Sequence, residues 1–488
     1  MKILVVIANY GRKNDRYLSR VLSEYRGMPY CLDLVVLSNL KKNLGADVEV
    51  VVGLPNADPW SLPFGHKRIF AERQGDYDLF IYSEDDILVT KRNIEAFLRA
   101  SDVLPPQELA GLFRWESYPD GRGYFPDVHA HFHWIPGSVN VIGGYMFARF
   151  TNEHSACYLL SGAQLRRAIA SGGFLVGPHQ GKYHLPETAA TDPYTQCGFT
   201  KLLCLSHFED FLVAHLPNRY AGTRLGLDAS EFYKQTEALL RSSNNGTSRG
   251  SLLRAETNLF HRQWSKDYYE PCREDMLAFF SRSTRSVLSI GTGWGETEAA
   301  LVRNGIHVVG FPLDSVIAAC AESRGVEIIY GDLDDAFARL AGRQFDGVLM
   351  SSVLHLLPDP MNVLLRASSL LAENGVVVAS FPNLARLPFV WRRLRYPSRF
   401  KGIGDYQRSG MHAINRDRAR AWFRGSGLKS VKIVDAMPPN WRRIVALSRG
   451  LASPLFSFEY IVAGQRVDLE GDRDPEGKAS ELASSRQG

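Results

Sequence analysis

In the stretch "YDLFIYSEDDILV" (77–89), three carboxylates, Glu84, Asp85 and Asp86, follow directly on the apolar run Leu79-Phe80-Ile81-Tyr82. Carboxylates this close repel one another, and they are tolerated most easily where a divalent cation or a cationic partner neutralises them. Acidic residues also favour plain solvated turns. A second place with chemical potential is "SIGTGWGE", where Gly291, Gly293 and Gly295 stand between an apolar run and a helical pattern. Glycines at such a turn let the backbone approach a ligand and leave helix N-terminal amides unpaired for it. A third, "VHAHFHW", sets His129, His131 and His133 on one face if the segment is a strand, a pattern able to bind Zn²⁺. No HExxH motif or acidic partner lies beside it, and the adjacent Trp134 suits sugar stacking equally well.

These residues need elements to position them. Apolar runs at 3–8, 34–37, 48–52 and 79–82 alternate with helical patterns at about 15–25, 64–74 and 91–101. After the Ser-, Asn- and Gly-rich "RSSNNGTSRGS" (241–251) an independent series begins: "VLSI", "HVVGF", "VEIIYG", "FDGVLMS" and "GVVVASF". Each series predicts βαβ units around a mostly parallel sheet, so the fold class is α/β with two Rossmann-like domains. The expected division is 1–240, a linker at 241–256, 257–466, and a disordered tail at 467–488 that is nearly devoid of large apolar residues.

Composition narrows the function classes. The 488 residues are 45% hydrophobic and 22% charged, ordinary values for globular protein. A net charge of +5 suits anionic ligands such as nucleotides but falls short of a nucleic-acid-binding stripe. Six cysteines without CxxC spacing read as reduced thiols of a cytoplasmic protein. "MKILVVIANYGR" reads as a first strand rather than a signal peptide, and no run approaches a membrane span. The expectation is a soluble protein, at most peripheral to the inner membrane surface.

The glycine turn, "IIYGDLDD", "FDGVLMSSVLHLLPDP" and "YQRSGMHAINRDRARAWFRGSGL" together resemble the class I S-adenosylmethionine-dependent methyltransferases over 257–466. The resemblance implies a seven-stranded domain in which Gly291, Gly293 and Gly295 wrap the methionine part of the cofactor and Asp332 binds the adenine. Two departures stand out: Ser289 and Pro312 occupy places that are usually acidic, the second being the ribose-binding acid. Asp314, two residues on, is the candidate substitute, although Pro312 restricts the path. For a sugar-hydroxyl acceptor, His355 and His412 are candidate bases because they titrate near neutrality. The alternative is a degenerate copy of the fold that acts as a scaffold.

The N-terminal series, with Asn9, Tyr10 and Arg12 at the turn after its first strand, then "PFGHKRIFAERQGDYD", then "SEDD", resembles the GT-A class of nucleotide-sugar-dependent glycosyltransferases over about 1–235. That resemblance implies Asn9, Tyr10 and Arg12 at the donor nucleotide, with His66, Lys67, Arg68 and Asp85 on the donor as well. Glu84 and Asp86 would hold Mn²⁺ or Mg²⁺ as a Glu-led DXD element, and His215 of "FLVAHLPNRY" would complete the coordination. Glu187 ahead of Asp192, in "YHLPETAATDPYTQCGF", would deprotonate the acceptor hydroxyl. The whole reads as a bifunctional glycan-biosynthesis enzyme: sugar transfer to a glycan or lipid-linked acceptor, and O-methylation of a sugar. The alternative is a methyltransferase whose N-terminal half only binds glycan. Finally, "VWRRLRYPSRFKG" (390–402) clusters arginines among aromatics. It suits a diphosphate or an anionic lipid surface, but the simpler expectation is a solvated face whose aromatic side packs on the core.

Overall fold

The computed structural model describes residues 1–247, 253–437, 445, 447–448 and 452–466. The expected tail at 467–488 and residues 248–252 of the expected linker lie outside the described residues. In the first half, β1 (Lys2–Asn9) leads into α1 (Asp15–Arg26), followed by β2 (Cys31–Ser38), β3 (Val48–Val52), α2 (Gly65–Glu72), β4 (Leu79–Glu84) and α3 (Lys91–Ser101). β1 and β4 are buried on both faces, which is why they read as continuous apolar runs rather than alternating ones. β1 pairs in parallel with β2 on one side and β4 on the other, and β3 extends the sheet beyond β2. Further along come β5 (Phe113–Ser117), β6 (Cys157–Ser161), α4 (Leu185–Thr195), β7 (Leu212–His215) and α5 (Ala229–Asn244). β6 joins the sheet antiparallel to β4, giving the order β6-β4-β1-β2-β3. α5 runs to Asn244, into the stretch expected to be linker.

The second half is a seven-stranded sheet. Its elements are β8 (Ser286–Thr292), α6 (Glu296–Arg303), β9 (His307–Pro312), α7 (Ser315–Glu322), β10 (Glu327–Ile328), α8 (Leu333–Arg339), β11 (Phe345–Met350), β12 (Leu371–Pro382), α9 (Leu387–Arg395), β13 (Leu428–Ala436) and β14 (Glu459–Arg466). The order is β10-β9-β8-β11-β12-β14-β13, with β14 antiparallel to both neighbours. In each sheet the strand order reverses direction at the first strand, and the crevice outside the strand ends at such a switch point is where α/β sheets bind ligands.

The halves share one apolar core. Phe232 of α5 and Phe113, Trp134 and Phe150 lie in the same buried cluster as Tyr268, Leu313, Val316 and Cys320. Arg324 bridges the seam to Glu231 at 3.2 Å. All six cysteines are unpaired, and no helix among the described residues is long and apolar enough to cross a membrane.

Candidate active site: an open cleft and a closed glycine loop

Ala8 lies opposite Glu84 in the parallel register of β1 and β4, so the residues leaving the two strands meet. Asn9 Nδ2 donates to Asp85 Oδ2 at 2.6 Å, and Asn14 Nδ2 donates to Asp85 Oδ1 at 2.8 Å and to Asp86 Oδ2 at 3.2 Å. β7 runs antiparallel to Ile87–Leu88 with His215 opposite Ile87, which brings the imidazole to the carboxylates. Its Nε2 lies 3.5 Å from Asp86 Oδ2 and its Nδ1 2.5 Å from Glu116 Oε1, at the end of β5. The other oxygen of Glu116 accepts from the main-chain N–H groups of Tyr220 at 2.8 Å and Ala221 at 2.6 Å. That fixes the loop carrying Arg219, 3.8 Å from Asp86 Oδ2.

The three carboxylates are electrostatically unequal. Burial, together with the charge of Asp86, pushes Glu84 up to about 8 and Asp85 up to about 6. Burial opposes the charge on Asp86 too, but the hydrogen bond to His215 and the charges of His215, Arg219 and Arg114 together outweigh it and hold this carboxyl below the usual range. For His215, burial is likewise outweighed by its bonds to Asp86 and Glu116, so its pKa is raised.

A cleft of about 520 Å³ opens over these groups, lined by Tyr10, Lys13, Trp60, Glu84, Asp86 and Arg219 among others. Tyr10 is 50% exposed and Trp60 67% exposed, so two aromatic faces stand at its rim. A second cavity of about 540 Å³ adjoins it: Pro186, at the start of α4, borders the first and Glu187 the second. The second cavity lies between the halves, with Arg114, His154 and Tyr220 on one wall and His261, Arg262 and Trp264 on the other. Arg114 is held by Asp127 through its Nε, at 3.1 and 3.2 Å. Glu187 Oε2 is buried with no hydrogen-bond partner among the described residues.

Several expected residues lie elsewhere. His66 is a core histidine, stacked on Tyr82 at 4.1 Å and hydrogen-bonded through both ring nitrogens to Pro63 O and the Tyr158 hydroxyl at 2.5 Å each. Burial drives its pKa down to about 3, so it carries no charge to a donor. Lys67 and Asp192 form a buried ion pair with each other, which takes Lys67 away from the donor and Asp192 away from base duty. Arg68 points to solvent and pairs with Glu72 at 2.6 Å, and Arg12 is exposed outside the cleft lining. Glu84, Asp86 and His215 do not form a ligand set: among the described residues no group of three or more His, Cys, Asp or Glu is arranged to hold a metal ion. The segment bearing His129, His131 and His133 is a turn with Ala130 at φ 53°, not a strand. His129 and His131 line the second cavity while His133 stacks on Tyr268 at 4.2 Å, so the three never share a face.

In the second half, Gly291 and Gly295 adopt φ of +85° and +89°, the left-handed region that requires glycine. The loop does not face open space. A Cβ on Gly293 would lie 2.5 Å from the carbonyl oxygen of Tyr268, which already accepts from Trp294 N at 3.0 Å. Tyr268 N in turn donates across the seam to Ala130 O at 2.8 Å. Beside it Glu270 accepts from Lys266 at 2.6 Å, Ser351 at 2.8 Å and Arg273 at 3.0 Å. The room left over the loop is about 20 Å³, a single water's worth. Ser289 donates to Glu298 at 2.6 Å. Asp314 is buried and caps α7, accepting from Val316 N and Ile317 N at 2.8 and 2.9 Å, and Asp332 is exposed and caps α8, accepting from Asp335 N at 2.8 Å. His355 is buried 3.0 Å from Trp264 O, and burial lowers its pKa to about 4, so it serves packing rather than base catalysis. His412 reaches Leu357 O at 3.1 Å.

Asn14, Arg114, Glu116 and Arg219 complete the first site without having been read from the sequence. A signal existed for two of them: in "FRWES" the charges Arg114 and Glu116 alternate on one face of a strand pattern.

Residues 263–433 match the family of sequences described as a methyltransferase domain. Among solved structures the chain is similar to a SAM-dependent methyltransferase from Archaeoglobus fulgidus, with 17% identity over 40% of this chain and 90% of that one and a TM-score of 0.31. It is also similar to a SAM-dependent methyltransferase, possible histamine N-methyltransferase, from Thermotoga maritima: 17% identity, 40% and 86% covered, TM-score 0.29. A third is an O-methyltransferase family protein from Burkholderia thailandensis: 15% identity, 40% and 55% covered, TM-score 0.29. A search among curated proteins gave no match. The family match makes residues 263–433 a methyltransferase domain, a fold that implies S-adenosylmethionine as cofactor and a methyl acceptor as partner.

Proposed function

We propose that the N-terminal half transfers a sugar from a nucleotide-sugar donor to a hydroxyl of a glycan or lipid-linked saccharide, in the manner of the GT-A enzymes it resembles. The observation that carries this reading is the junction of two ligand-sized cavities at Pro186–Glu187, with an unpartnered buried carboxylate oxygen on the second. Tyr10 and Trp60 offer stacking faces to a nucleobase. Lys13 and Arg219 line the same cleft and meet the diphosphate, whose charge grows as the sugar leaves. Glu187 accepts the proton of the attacking hydroxyl as the bond to the diphosphate breaks and the glycosidic bond forms. The C-terminal domain supplies one wall of the acceptor cavity through His261, Arg262 and Trp264. Because Glu84, Asp86 and His215 form no ligand set, no step is routed through a metal. The test is isothermal titration with UDP, GDP and their sugars, with and without Mn²⁺, on the wild type and on Lys13→Ala/Arg219→Ala. Nucleotide binding lost in the variant supports the donor cleft and names the base. No binding to any nucleotide in either condition overturns the reading and leaves a half that only binds glycan.

The family match supports methyl transfer by the C-terminal domain, and a second reading takes a sugar hydroxyl as its acceptor. S-adenosylmethionine does not fit the loop as it is packed: Tyr268 occupies the space beside Gly293, and Asp314 has one oxygen committed to capping α7. Titration with S-adenosylmethionine decides between the readings. Binding near micromolar supports a loop that opens, and none at roughly millimolar cofactor supports a domain retained as a wall.

A further inference from the structure

Between Asn374 and Gly404 the chain has no Asp or Glu, but it has Arg386, Arg392, Arg393, Arg395, Arg399 and Lys401. The simpler expectation placed the aromatic side of this segment on the core. The structure does the reverse with most of it. Only Phe389 and Phe400, 4% and 6% exposed, turn inward, where Phe389 packs on Trp264 and Phe400 at 4.8 and 5.1 Å. On the opposite side of α9, Leu387, Val390, Trp391 and Leu394 follow the i, i+3, i+4, i+7 spacing of a single helix face. They are 44%, 36%, 64% and 78% exposed. The N-terminal approach to α9 extends this surface: Asn383 N donates to Phe458 O at 3.1 Å, and Phe458 and Leu455 are 45% and 40% exposed.

An apolar helix face presented to water beside a set of cations without acids suits one kind of partner. We propose that α9 lies in the surface of an anionic lipid membrane, with Leu387, Val390, Trp391 and Leu394 entering the headgroup–acyl boundary and the arginines meeting lipid phosphates. Nine residues rise about 14 Å, far short of a span, so the helix lies in the plane of the interface. Arg393 and Arg395 flank the apolar face in the helical register, and their aliphatic stems follow the apolar side chains while the guanidiniums reach phosphate. Trp391 has the amphipathic ring favoured at that depth. A partner protein or a second copy would bury the same apolar face, but an all-cation border around a self-contact would repel itself. The charge pattern therefore favours lipid.

The test uses the full chain with vesicles of phosphatidylcholine alone or containing about 30 mol% phosphatidylglycerol, read by co-flotation and by light scattering of the free protein. Wild type is expected on the anionic vesicles and to leave them in roughly 0.5 M salt. Trp391→Ser/Leu394→Ser is expected to lose at least about tenfold in partitioning at unchanged circular dichroism, because both side chains stand in solvent. Arg393→Gln/Arg395→Gln should lose binding to the anionic vesicles alone. Absence of wild-type binding to anionic vesicles overturns the proposal, as does binding that both double variants retain. A wild-type dimer that the Trp391/Leu394 variant converts to monomer, without vesicle binding, also overturns it and assigns the face to a second copy.

Discussion

Two loops hold the same place in the two halves, each following the first strand of its sheet at the point where strand order reverses, yet they end in opposite conditions. After β1 the chain turns outward, leaving Tyr10 half exposed over a cleft of about 520 Å³. After β8 the glycine turn has the backbone a ligand loop needs, but residues 266–270 lie across it and leave about 20 Å³. Both loops have the local chemistry for binding, so the difference comes from the segment that crosses the strand ends. In the first half that place is flanked by α4, tied down from behind by the buried Lys67–Asp192 pair. In the second, Tyr268 is hydrogen-bonded to the glycine turn through its carbonyl and to the other half through its N–H. A fold supplies a switch point, but packing decides whether the point is a site.

Removing the pair behind α4 should disturb this contrast most. Lys67→Met leaves Asp192 buried without its cation and is expected to cost about 4 kcal/mol in denaturant unfolding. Lys67→Met/Asp192→Leu should recover most of that, and equal stability of single and double variants would show that the pair does not hold the wall.

Glu187→Gln comes next. It keeps the shape of the open cleft but removes the base, so turnover should fall about 100- to 1,000-fold while nucleotide affinity in titration stays unchanged. Activity within a few-fold of wild type would assign the proton to another group.

The closed loop is probed by Gly293→Ala, whose Cβ would meet Tyr268 O at 2.5 Å. A loss of about 2 kcal/mol in unfolding is expected if the loop backs on protein, and none if it faces open space.

A last effect is one that the two halves should share. His66 and His355 titrate near 3 and 4 in the folded chain because burial disfavours their charge, against 6.5 when unfolded. Below pH 6.5 the unfolded chain binds more protons, so stability falls with falling pH, by about 1.4 kcal/mol per pH unit for each group, until the folded pKa is reached. Urea unfolding at pH 7 and 5 measures the slope, which His66→Gln should reduce; a slope that His66→Gln leaves unaltered would place that imidazole in water.

Much of the candidate site was legible where neighbours in sequence remain neighbours in space. Asn9, Tyr10, Glu84, Asp85 and Asp86 could be placed at strand ends because apolar runs mark buried strands and polar residues after them mark the ends. Of the two acceptor-side acids, Glu187 has a carboxylate oxygen without a hydrogen-bond partner among the described residues, while Asp192 is paired with Lys67. The basic run at 66–68 misled, because a helix sends consecutive residues in different directions: His66 into the core, Lys67 to a buried partner, Arg68 to water. The three histidines misled for a related reason, since period two means one face only on a strand, and Ala130 turns the chain.

The amino-acid sequence by itself determined two α/β halves, the strands at their centres and the two glycine- and acid-bearing turns, because hydrophobic period, turn residues and strand-end polarity act over a few residues. The tertiary structure alone decided which turn is open, that Glu116 and His215 steady the carboxylates, and that Trp391 and Leu394 face water. Each of these depends on a contact between segments distant along the chain, such as Tyr268 with Ala130 or His215 with Asp86, and no local pattern encodes which distant surface a segment will meet.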